Sequence, residues 1–103
     1  MKKIYAVVKQ PGRDPSVQQV DDDLKTLQGL VGGYLEEISL TGVLTLLCNE
    51  DGRRLGLQAN LHLPVGTIAG TVLVVAHTAS GATRSLTAGE HLTALESLRR
   101  FAL

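Results

Sequence analysis

Residues 48–60 read CNEDGRRLGLQAN and hold the chain's single cysteine beside an amide, two acids and a glycine. A thiol in such company suggests nucleophilic chemistry, and the adjoining oxygens suggest a hard cation. The neighbouring residues argue against both. In a strand Cys48 shares a face with Leu44 and Leu46, where apolar surroundings raise a thiol pKa and suppress the thiolate. No histidine stands nearby to act as its base. An EF-hand loop needs alternating Asp or Asn and a glutamate beyond the glycine, where this chain has Arg53 and Arg54. The stretch is therefore expected to end a core strand at Cys48, turn through residues 49–52 and return as a strand over RRLGL at 53–57. GLQAN, ending in Asn60, is too orderly for a casual loop, and a site is expected beside it and not at the cysteine.

His62, His77 and His91 form none of the HxH, HxxxH or HExxH spacings of a zinc site, so no metal is expected. Glu36 and Glu37 point to opposite faces of a strand, and Asp21, Asp22 and Asp23 precede a helix, where their charge suits the dipole. Paired-carboxylate catalysis thus finds little support. No catalytic residue and no cofactor is assigned, and the expectation leans away from an enzyme. Anion recognition keeps one candidate. In ASGATRS at 79–85 small residues expose backbone N–H groups, Arg84 adds charge, and Ser85 and Thr87 stand at a helix start whose dipole favours an anion. Arg84, Ser85 and Thr87, with Asn60, are the expected ligand-binding residues. The loop lacks GxxxxGK[ST], as does GTIAGT at 66–71, and its residues also suit an ordinary surface loop.

These residues must be placed by elements that the hydrophobic period defines. KIYAVVK at 3–9 is a strand covered on both faces and bounded by lysines; QPGRDP ends it, and SVQQV at 16–20 returns antiparallel. Leu24, Leu27, Leu30 and Val31 recur at helical spacing, so a helix is expected over 22–32, closed by Gly32 and Gly33. From Tyr34 the period becomes two, giving a face-mixed strand near a sheet edge, followed by an inner strand VLTLLCN at 43–49. QANLHLPVG at 58–66 reads as a loop and TIAGTVLVVAHT at 67–78 as the strongest strand. The last helix opens with a capping box, Thr87 and Glu90, and its apolar stripe is Leu92, Leu95, Leu98 and Phe101. The order predicts an α+β fold: one small domain over 1–103, with a mostly antiparallel or mixed sheet of about five strands and two helices.

Composition excludes some partners. Ten Lys and Arg balance ten Asp and Glu, so no net field draws the chain to nucleic acid, and two Tyr and one Phe offer few stacking platforms. Apolar runs such as VLVVA at 72–76 fall far short of the roughly 20 residues that span a bilayer. The amino-terminal KKIYAVVK is a poor secretory signal, and one cysteine cannot make an internal disulfide, so a cytoplasmic setting is expected. The partners left are a host protein, a small anionic ligand, or a second copy, since apolar sheet edges can pair across a two-fold axis into a homodimer.

LQGLVGGYLEEISL at 27–40, CNEDGRRLGLQAN at 48–60, IAGTVLVV at 68–75 and SLT at 85–87 follow one another in a set order. In that order they resemble the small-domain family labelled domain of unknown function 3846. The resemblance covers nearly the whole chain. It implies a short protein of bacterial phages, plasmids or other mobile elements, and it brings no catalytic residue to any position. The expected function is an accessory protein that binds a host protein without catalysis. The alternative is a small-ligand binder that sequesters a phosphorylated nucleotide through the Arg84 loop or at a subunit interface; third comes an enzyme with an unrecognised site.

Overall fold

The computed structural model describes residues 2–103. Along the chain lie β1 (Lys3–Lys9), β2 (Ser16–Asp21), α1 (Leu24–Val31), β3 (Leu35–Thr41), β4 (Leu44–Asn49), β5 (Ala59–Leu63), β6 (Gly66–Ala69), β7 (Val72–His77), β8 (Thr83–Arg84) and α2 (Ala88–Phe101). The main sheet runs β2-β1-β7-β4-β3, with short β8 pairing beside the end of β7, and β5 and β6 form a separate hairpin. All pairings are antiparallel. This is an α+β fold with a six-stranded sheet and two helices.

The sheet is covered on both faces, which explains why β1 and β7 are apolar without alternation. On one face Ile4, Ala6, Val8, Leu47, Leu73 and Val75 meet Leu27 and Val31 of α1. On the other, Val7, Leu46, Cys48, Val72 and Val74 meet Leu61, Leu63 and Ile68 of the hairpin and Ala94 and Leu98 of α2. β7 sits at the centre between β1 and β4, and Val72 through Ala76 are buried on both faces. β3 is the end strand, as its mixed faces predict.

Local chemistry sets the helix ends. Asp23 caps α1 by accepting from the Thr26 amide at 3.1 Å, and Gly32, at φ 82°, closes it in the left-handed conformation that only glycine adopts without strain. Thr87 and Glu90 make the reciprocal capping box of α2. Leu24 and Leu92, placed by period on the buried stripes, instead stand in solvent at 62% and 63% exposure. In α2 the small Ala94 faces the sheet with Leu98, so the helix approaches closely and turns Leu92 outward.

The structure differs from the sequence reading between residues 50 and 71. RRLGL is not a strand: the Leu55 amide bonds Asp51 O at 2.8 Å and the Leu57 amide bonds Gly52 O at 3.0 Å, coiling the segment into local turns. Gly52 is needed here for space, because a Cβ would lie 2.6 Å from the Ala69 carbonyl oxygen. The next strand is β5, where a loop was expected, and it pairs with β6 and not with β4; Pro64 falls in the turn between β5 and β6. Gly70, at φ 87°, then breaks the 67–78 run into β6 and β7. Among the described residues no helix is long and apolar enough to cross a membrane.

Candidate functional site

Arg84, Ser85 and Thr87 come together where β8 leads into α2, but their polar groups are engaged within the chain. The Arg84 guanidinium donates to both Glu90 carboxylate oxygens, at 2.8 and 2.9 Å, and to the Ser85 carbonyl at 2.9 Å. The Ser85 hydroxyl accepts from the Tyr5 amide at 2.9 Å, which ties the loop to β1. Thr87 Oγ1 accepts from the Glu90 amide. The Arg84 fork, helped by the Thr87 amide, holds the Glu90 carboxyl well below its ordinary range, at about 2. An anion entering here would compete with a bound carboxylate.

Cys48 lies one residue before the end of β4 with its thiol buried, 3.8 Å from the Glu36 carbonyl oxygen. Burial first, and the Glu36 carboxylate second, push the thiol up to about 11. It is a packing group at neutral pH. The open depression beside it, about 490 Å³, is lined by Glu36, Asn49, Asp51, Arg53 and Arg54. Two of its oxygen-bearing side chains are spent on the turn: Asn49 accepts from the Asp51 amide at 2.8 Å and donates to Val31 O at 3.1 Å, while Asp51 pairs with Arg54. Among the described residues no three His, Cys, Asp or Glu side chains gather as a metal set. His62 lies on β5 beside Thr67, His77 bonds Thr45 at 2.8 Å, and His91 stacks edge-on against Tyr5 with ring centres 6.0 Å apart.

Asn60 is elsewhere, fully buried on β5. Its amide nitrogen donates to Lys9 O at 2.9 Å and Gly70 O at 2.8 Å, and its oxygen accepts from the Lys9 ammonium. One side chain thus clamps β1 to the start of β7 from the hairpin that covers them. The order in GLQAN has its reason in this clamp. Lys9 itself, which the sequence reading used only to mark a strand end, is 2% exposed. Alternation places it on the face of Val7, inside the layer that α2 and the hairpin close. Loss of hydration lowers its pKa from the ordinary lysine value, and Asp14 partly opposes that.

A second arrangement lies along β3. Among the described residues its outer edge carries no neighbouring strand. Beside it an apolar notch of about 220 Å³ is lined by Ile38, Leu40, Leu63, Val65 and Phe101. Leu40 and Phe101 also line a more polar hollow of about 480 Å³ that extends along α2 past Thr93, Ser97 and Arg100. The two form one trough between an end strand and a helix, with Val65 73% exposed at its rim.

With these features in view the chain can be placed. It belongs to the family described as Domain of unknown function (DUF3846), whose model matches residues 1–98. No curated protein and no solved structure matches it.

Proposed function

We propose that the protein is a non-enzymatic accessory protein of a phage or other mobile element, and that it captures an extended segment of a host protein along β3. The observation that carries this reading is the trough: an end strand whose outer edge carries no partner strand runs beside a lining of Ile38, Leu40, Leu63, Val65 and Phe101. A strand added to such an edge gains main-chain hydrogen bonds, and alternate side chains drop into the adjoining notch. The bulge where the β3–β4 register shifts between Ser39 and Thr41, and the charges of Glu36 and Glu37, discourage indiscriminate pairing at that edge. Sequestration of a phosphorylated nucleotide through Arg84, Ser85 and Thr87 ranks below it, because Glu90 already fills the Arg84 fork.

The test is capture from host lysate with the wild-type chain and with Val65→Glu, which alters an exposed rim residue and leaves the core intact. A stoichiometric partner retained by wild type and lost by Val65→Glu is the expected result. A partner retained equally by both, or none at all, counts against the trough. If light scattering gives a dimer for wild type and a monomer for Val65→Glu, the occupant is a second copy.

A further inference from the structure

Lys9 fills a position that a hydrocarbon would fill more cheaply. Its carbon stem continues the apolar row of β1, yet the ammonium is enclosed. An ammonium has three N–H donors. Within the chain one goes to Asn60 Oδ1 and another, at 3.5 Å and therefore weakly, to the Gln10 carbonyl. Among the described residues no carboxylate lies within ion-pair distance of it. A buried cation without a counter-charge is among the more costly things a small fold can hold.

The surroundings are basic. Lys9 lines a groove of about 630 Å³ together with Arg13, Asp14 and Arg99, at the junction of the β1–β2 turn and the end of α2. Arg13 and Arg99 are exposed, and among the described residues neither is engaged in an ion pair. Three cationic side chains therefore face one acidic side chain, with Ala102 and Leu103 also in the lining; Lys9 and Arg13 flank one turn, and Arg99 joins them from the far end of the chain. The chain as a whole is neutral, so this surplus is local. The size is within the usual range of small-ligand clefts.

We infer that this groove binds a small anion of the phosphate or pyrophosphate class, with the Lys9 ammonium as its deep contact and Arg13 and Arg99 as the outer clamp. Cationic side chains outnumber acidic ones in the lining, which suits an anion, and a guanidinium fork matches the paired oxygens of a phosphate. Asp14 acts on Lys9 only from beyond ion-pair distance, and the ligand supplies the direct counter-charge. Asn60, whose oxygen holds the ammonium in place, is a positioning residue in this arrangement. The site is separate from the β3 trough, and neither needs the other.

Calorimetric titration with inorganic pyrophosphate tests it, using wild type, the Arg13→Ala/Arg99→Ala double variant, Lys9→Met and Arg84→Ala. The double variant changes only exposed side chains and should keep its fold. Saturable binding is expected for wild type and for Arg84→Ala, weakened about tenfold or more in the double variant. Lys9→Met should lose binding while remaining folded by circular dichroism. No saturation by wild type, or equal binding by the double variant, overturns the assignment. So does equal binding of citrate, which would make the groove a general anion trap. Salt-sensitive retention of a DNA duplex without pyrophosphate binding would overturn it too, in favour of a nucleic-acid surface.

Discussion

Asn60 makes three hydrogen bonds in a place closed to water, one given to a carbonyl of β1, one to the Gly70 carbonyl between β6 and β7, and one accepted from an ammonium. Leucine would match it in bulk and supply none of them. Each buried polar group left unpaired costs about 1–3 kcal/mol, so Asn60→Leu is expected to lower stability by about 3 kcal/mol or more. A urea unfolding midpoint unchanged within error would show that the clamp contributes nothing. The sequence singled out Asn60 as orderly and grouped it with the expected ligand-binding residues, but gave no view of its partner. Lys9 precedes it by 51 residues, and a lysine at a strand end reads as a boundary. Its burial depends on a covering hairpin that the sequence reading took for a loop. Cys48 was more legible, because Leu44 and Leu46 on the same strand suffice to predict its apolar setting.

At the scale of elements, the helices were the clearest. Asp23, Gly32 and the Thr87–Glu90 box are local signals, each satisfied by backbone within a few residues, and both helices start and stop near where those signals stand. The segment from 50 to 71 was misjudged because its structure rests on close approach: Gly52 against Ala69, and a hairpin folded over the sheet. No periodicity in RRLGL reports that. The capping box also carries a pH dependence. The folded Glu90 carboxyl titrates at about 2, below its ordinary value of 4.5. Its contribution is therefore present above pH 4.5 and is lost as pH falls toward 2, since the unfolded chain takes up the proton first. Melting temperatures measured across that window should fall more steeply for wild type than for Arg84→Ala, which lacks the fork. Parallel curves would mean that the pair is no more than a solvated surface contact.

For the whole molecule, the decisive feature is the order of the sheet. β1 and β4 never touch as neighbours; β7 lies between them and pairs with both, Val7 with Val74 and Leu46 with Val74. Sequence anticipated β1 to β4 and an antiparallel tendency, but strand order depends on which edges meet over long stretches of chain. Folds governed by such distant pairings close their loops before those contacts repay the entropy, so refolding is expected on the millisecond-to-second scale. Stopped-flow refolding complete within about 100 microseconds would contradict this. The same order matters during synthesis. β7 is made after β1, β2, α1, β3 and β4, so while residues 72–77 are still inside the ribosome the β1–β2 and β3–β4 hairpins each have an apolar edge awaiting one absent strand. The main sheet therefore cannot be completed on the ribosome until its central strand arrives, and those two edges stay open until then.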